Sequence, residues 1–311
     1  SGPIQLTVDD QHLETGSTPS PVQPVSVSGD IVFTPGSDAI ASIAFGDLST
    51  LDGGLSWTLE SDIQIIGWDA DQNPVVVIDL NLSGNVATVT VTLQSNSGRD
   101  PDATIDDLAD LGSIDVVATD ADGDLAAGTV HLAVSDDVPA ITALSPPAGL
   151  LTADESNLGL NATASFASLF HVTMGADMAG SSTSYEFQVT TATGLVDVAT
   201  GSKIILQATG NVVEGRLQDT PSVVAFRLTV TPDGQATLDQ IRAIRHPDAS
   251  NPDDAVTMSP TIIRLVATVT DGDGDQASAI VAIGATLVFK DDGPSIDATN
   301  VDTDTIVLTT Q

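Results

Sequence analysis

The amino-acid sequence predicts an all-β protein made of two tandem β-sandwich domains with only short helical turns. Apolar and polar residues alternate at period two, turn-forming residues interrupt that alternation, and the opening and closing segments of one stretch recur in a second. Alternation puts successive side chains on opposite faces of a strand. Ala87, Val89, Val91 and Leu93 share one face, with Thr88, Thr90 and Thr92 on the other. Val130, Leu132 and Val134 make a second apolar face, Phe226, Leu228 and Val230 a third, and Ile263, Leu265, Ala267 and Val269 a fourth. Breaks fall at Pro35-Gly36-Ser37-Asp38, Asp52-Gly53-Gly54, Asp71-Gln72-Asn73-Pro74 and Pro232-Asp233-Gly234. Short strands with frequent turns read as a sandwich or barrel. Helical spacing occurs only over 106–111 and 238–245, each expected to form a single turn.

The recurrence sets the domain organisation. Leu6-Thr7-Val8-Asp9-Asp10 matches Leu151-Thr152-Ala153-Asp154-Glu155, and Val117 to Asp124 matches Val269 to Asp275. Each stretch closes on an acidic stop, Asp136-Asp137-Val138-Pro139 and Asp291-Asp292-Gly293-Pro294. The expected domains are therefore 1–139 and 140–294, with 295–311 opening a third repeat. The middles of the two stretches do not resemble each other.

Composition narrows the function. The chain has 311 residues, enough for two cores. Hydrophobic residues make up 41% but aromatic ones only 3%, so the cores must be built mainly from Val, Ile, Leu and Ala. Eight Lys and Arg face 43 Asp and Glu, a formal charge of −35. That excess repels itself unless counter-ions bind. It argues against nucleic acid, which needs clustered cations, and against anionic membrane surfaces. There is no cysteine, so no disulfide braces the fold. No apolar run approaches the roughly 20 residues of a membrane span, so direct membrane insertion is not expected. A start at Ser1-Gly2-Pro3 without a signal peptide reads as a segment of something longer.

The acids are clustered rather than spread. Asp120, Asp122 and Asp124 alternate around Gly123, between two strands, and Asp271, Asp273 and Asp275 alternate around Gly272 and Gly274 in the matching place. Carboxylates two apart, with glycine between them, let a loop curl until oxygens converge, which suits the six to eight oxygen ligands of Ca²⁺. A polar hairpin turn is the plain alternative. An EF-hand is excluded, because its twelfth position falls on His131 or Ala282 and its flanks are strands. A second set of candidate Ca²⁺ ligands lies at the unit ends: Asp9 and Asp10, Asp136 and Asp137, Asp154 and Glu155, and Asp291 and Asp292. Carboxylates meeting at a junction would share an ion and stiffen it; two solvated turn acids are the alternative.

These motifs carry a family resemblance. Gly29-Asp30-Ile31-Val32-Phe33, Gly36 to Ile43, Leu111 to Asp124 and the Asp-Asp-Val-Pro stop resemble a repeat of large type I secretion targets of Gram-negative bacteria. Ala162 to Phe166, Leu238-Asp239-Gln240, Arg245-His246-Pro247-Asp248, Ala267 to Asp275 and Leu287 to Pro294 resemble a second repeat class of RTX (repeats-in-toxin) adhesins. The resemblance implies Ig-like or cadherin-like sandwiches in a secreted, Ca²⁺-rich protein at the bacterial cell surface, exported by a type I system and working in attachment and biofilm formation. The Gly-Gly-x-Gly-x-Asp nonapeptides of the secretion-signal region are absent, so the resemblance implies a segment upstream of it.

Two functions follow. The first is a structural extender, rigidified by Ca²⁺, with neighbouring repeats of the same chain as partners and a monomeric state. The alternative is a Ca²⁺-dependent tip module that binds a host or biofilm sugar or peptide. Trp68, in Gly67-Trp68-Asp69, is the candidate ligand-binding residue; Trp57, in an alternating run, is expected in the core. An enzyme is not expected. His12, His131, His171 and His246 stand apart without zinc spacing, and His246-Pro247-Asp248 reads as a capped turn. No apolar cleft is marked that would raise one of a pair of acids.

Overall fold

The computed structural model describes residues 2–22, 24–96, 108–272 and 274–293. Expectations for Asp273, for 106–107 of the first helical stretch and for 294–311 lie outside these residues. The chain divides into two compact units. So far as their residues are described, unit one takes Ser1–Leu144, Phe170–Ser184 and Val266–Ile280, and unit two takes Ser145–Leu169, Tyr185–Leu265 and Val281–Gln311.

The first ten strands are β1 (Ile4–Asp9), β2 (Val25–Val32), β3 (Ile40–Phe45), β4 (Ser56–Ser61), β5 (Gln64–Trp68), β6 (Pro74–Ser83), β7 (Val86–Leu93), β8 (Leu108–Asp120), β9 (Leu125–Ser135) and β10 (Ala140–Ala143). They are followed by β11 (Leu151–Asp154), β12 (Ala162–Ser165), β13 (Phe170–Thr173), β14 (Ser182–Val189), β15 (Ala192–Val196), β16 (Lys203–Thr209) and β17 (Val212–Leu217). The last are β18 (Val224–Val230), β19 (Gln235–Gln240), β20 (Ala255–Thr257), β21 (Ile263–Thr270), β22 (Gln276–Ala282) and β23 (Leu287–Lys290). Among the described residues the helical content is five three-residue 3₁₀ turns, and no α-helix forms. No helix among them is long and apolar enough to cross a membrane.

Unit one is a sandwich of two sheets, ordered β1-β9-β8-β3 and β2-β7-β6-β5-β4. One core lies between them. Ile114, Val116, Val130 and Leu132 come from the first sheet, Ile65, Val76, Ile78, Val89 and Val91 from the second, and all are fully buried. Burial at alternate positions of β7 and β9 follows the predicted faces. All pairings in these two sheets are antiparallel except β1 with β9, which runs parallel from Ile4↔Val130 to Asp9↔Ser135. Trp57 packs half-buried against the core, its indole N–H donating to the Asp52 carbonyl at 2.7 Å.

Unit two contains the sheets β12-β19-β18-β17-β16-β15 and β11-β23-β20. Phe226 of β18 and Phe289 of β23 meet between them with their rings tilted by 51° and centroids 5.1 Å apart. Here too the opening strand pairs parallel with the closing one, β11 with β23, from Leu151↔Leu287 to Asp154↔Lys290. In unit one, β10 also pairs antiparallel with β13.

Both helical expectations are corrected. Residues 108–111 belong to β8 and 238–240 to β19. Over Leu108–Leu111 and Gln235–Gln240 every second residue is buried, so sheet pairing uses a period of two where a few apolar residues also fit helical spacing.

One ion pair ties unit two together. The Asp197 carboxylate, 1% exposed, accepts from Arg242 Nε at 2.8 Å and Nη2 at 3.0 Å, and from Thr200 N and Oγ1. The Arg242 hydrogen bonds, opposed by burial and helped by those from Thr200, hold the Asp197 carboxyl down at about 2. A depressed folded pKa gives stability that is present above the unfolded value of 3.8 and lost as pH falls toward about 2. Asp197→Asn is expected to destabilise unit two by about 2 kcal/mol at neutral pH. In denaturant titrations that deficit should shrink as the pH is taken below 4.

Candidate metal centre

The parallel pairing of β1 with β9 brings together the acids that follow these two strands. β1 ends at Asp9, whose side chain caps the 3₁₀ turn Asp10–His12 by accepting from Gln11 N at 3.1 Å. The cap turns the next side chain inward, and Asp10 is 0% exposed. Opposite Asp9 stands Ser135, the end of β9, and the buried Asp136 and Asp137 follow it. Asp137 is satisfied by Ser17, whose N–H and hydroxyl donate at 2.7 and 2.6 Å. A fourth buried acid, Asp177, arrives from the 170–184 stretch of the same unit. One carboxylate oxygen from each of Asp10, Asp136 and Asp177 lies within 4.8 Å of the others.

Among the described residues neither oxygen of Asp10 has a hydrogen-bond partner. Burial, then the charges of Asp136, Asp177, Asp137 and Asp9, push its carboxyl up to about 8. An ionised carboxylate buried beside others is costly unless a proton or a cation neutralises it. A pocket of carboxylate oxygens suits Ca²⁺, a hard ion tolerant of irregular geometry.

The two acidic loops share one turn. In the first, Asp120 N donates to the Asp124 carbonyl at 3.1 Å, and Asp120 Oδ1 accepts from Gly123 N at 3.1 Å and Asp124 N at 2.8 Å. In the second, Asp271 N donates to Asp275 O at 3.1 Å, and Asp271 Oδ1 accepts from Gly274 N at 3.1 Å and Asp275 N at 2.8 Å. Their surroundings differ. Asp122 and Asp124 are exposed and Asp120 half-buried, with the exposed Asp38 close enough to make a group with Asp120 and Asp122. Asp271 and Asp275 are buried, and Gly272 N donates to the Asp177 carbonyl at 2.7 Å. A Cβ on Gly272 would meet the Ala179 carbonyl oxygen at 2.3 Å, so only glycine lets the loop lie this close to the Asp177 segment. The second loop therefore supports the backbone that carries Asp177.

Unit two repeats the frame with different chemistry. Asp154 caps the turn Glu155–Asn157 through Ser156 N at 3.0 Å, and Glu155 turns inward. Opposite Asp154 lies Lys290, with Asp291 after it. The third member is His246, and one ligand atom from each of Glu155, His246 and Asp291 lies within 4.8 Å of the others. Glu155 Oε1 accepts from Ile244 N at 2.7 Å and Gln240 Nε2 at 2.8 Å; burial nevertheless raises its carboxyl pKa.

Of the residues singled out by sequence, the structure joins Asp10 with Asp136, Asp120 with Asp122, and Glu155 with Asp291. Asp9, Asp137 and Asp154 serve as caps and braces, and Asp292 is exposed. Asp38, Asp177 and His246 were not expected as ligands: Asp38 and His246 read as turn residues, and Asp177 stands alone in its segment. Trp68 ends β5 half-buried, its indole N–H donating to Thr58 Oγ1 at 2.8 Å.

Residues 150–284 match the family described as a domain of unknown function, DUF5801. No curated protein sequence matches the chain. Solved structures show distant likeness. Drosophila N-cadherin EC1-4 is 13% identical over 93% of this chain and 48% of its own, with a TM-score of 0.24. Murine CEACAM1b is 10% identical over 90% and 97%, at 0.25. A tetra-tandem repeat from the extending region of a large adhesion protein is 14% identical over 93% and 49%, at 0.22. The chain thus spans about half the length of the first and third.

Without divalent cations, the folded form holds a proton on Asp10 between 3.8 and about 8 that the unfolded chain has released. Stability should therefore fall as pH rises through that window. Chelator-treated protein is expected to melt at a lower temperature at pH 8 than at about pH 5, and Asp10→Asn should flatten the difference.

Proposed function

We propose that the chain is a calcium-stabilised extender segment of a secreted bacterial surface adhesin, a non-catalytic spacer in cell attachment and biofilm formation. The observation that carries this reading is the buried group Asp10, Asp136 and Asp177, in which the fully buried Asp10 carboxylate has no hydrogen-bond partner among the described residues. A bound Ca²⁺ would be held by these three, with Asp9, Asp137 and the Asp271–Asp275 loop fixing their backbones. It would neutralise charge that otherwise opposes folding, so the segment would be rigid where calcium is plentiful and loose where it is scarce. The sequence resemblance to RTX adhesin repeats supports the surface location and type I export. The bonded, half-buried indole of Trp68 supports a spacer over a sugar-reading tip.

A ligand that binds only the folded state stabilises it by mass action. At 100-fold saturation Ca²⁺ should raise the melting midpoint by about 5–10 °C over excess EDTA. Asp10→Asn should lose most of that gain. An equal midpoint in calcium and in EDTA would sink the proposal, and a specific hit on glycan or peptide arrays would move the reading from extender to tip.

A further inference from the structure

We propose that Glu155, His246 and Asp291 form a second cation site in unit two, one that takes a borderline transition metal of the zinc class rather than calcium. The frame is the one described for unit one. In both units a parallel strand pair sets a buried acid after the opening strand, Asp10 or Glu155, beside an acid after the closing strand, Asp136 or Asp291. The third member differs: unit one supplies the carboxylate of Asp177 and unit two the imidazole of His246.

The His246 side chain is 3% exposed, and neither ring nitrogen makes a hydrogen bond among the described residues. Its Nε2 stands 3.5 Å from Glu155 Oε1, and that oxygen is already engaged by Ile244 N–H and Gln240 Nε2. A buried imidazole with both nitrogens unsatisfied is costly. A metal bond to one nitrogen would relieve that cost. The two hydrogen bonds to Oε1 orient the Glu155 carboxylate and leave Oε2 for a metal, the arrangement of supporting contacts expected around a ligand. Gln240 Oε1, also buried without a partner among the described residues, adds an oxygen beside it. One imidazole and two carboxylates match the donors of zinc and its neighbours, whereas calcium takes six to eight oxygens. A protonated His246 paired with Glu155 is the competing arrangement.

The test titrates the full chain, kept in saturating calcium, with Zn²⁺ and Co²⁺. Calorimetry and the visible absorption of Co²⁺ report binding, and ¹⁵N-histidine NMR reports each ring. The proposal expects one zinc per chain beyond the calcium sites, displacement of the His246 ring nitrogen signals, and binding at least about tenfold weaker in His246→Asn and in Glu155→Gln. The NMR arm uses the wild-type chain and stands even if a variant misfolds. Absence of zinc binding, equal affinity in both variants, or a His246 ring that stays a doubly protonated imidazolium through the titration overturns it.

Discussion

Each unit carries one parallel pairing beside its acid group, β1 with β9 in unit one and β11 with β23 in unit two. Antiparallel neighbours would bring a strand's end beside its partner's beginning; a parallel pair ends both strands on the same side. The residues following β1 and β9 are acidic, as are those following β11 and β23, so the pairing that closes each sandwich also forces carboxylates together. In unit one the result is a pocket whose central carboxylate is cut off from water and, among the described residues, from every hydrogen-bond donor. Folding and neutralisation of that pocket are then one event. This turns a net charge of −35 from a general burden into a local condition on stability.

The strand faces were legible in the sequence because a period of two survives into the sheet. Ile263, Leu265, Ala267 and Val269 read as one face and are all fully buried. The helical reading of 238–245 failed for a related reason: in a short stretch a few apolar residues satisfy both periods, and pairing between β18 and β19 decides for strand. The acidic loops were legible as matching turns between strands, and the structure adds the same hydrogen bonds at Asp120 and Asp271. Burial was not. The same turn sits in solvent in one place and against Asp177 in the other, a difference made by residues far away in the chain.

The members that complete the two acid groups were the least legible. Asp177 has no spacing partner within its own segment, and His246, though part of Arg245-His246-Pro247-Asp248, reads there as a capped turn rather than a ligand. Only the tertiary fold sets Asp177 beside Asp10 and His246 beside Glu155. Asp9 and Asp154 show the converse. Their repetition was plain in the sequence, yet their side chains are spent on capping short turns, and the residue after each cap carries the buried charge. A repeated acidic pair thus divides its labour between one acid that shapes the backbone and one that is carried inward.

Neutralisation of the Asp10, Asp136 and Asp177 group by a calcium ion is tested most directly by a diffraction map at the calcium anomalous signal, from crystals grown in calcium. The expected result is an anomalous peak among these three carboxylates at calcium–oxygen distances of about 2.3–2.6 Å. A well-ordered pocket with no such peak, Asp10 instead sharing a short proton-mediated contact with Asp136 or Asp177, would contradict it.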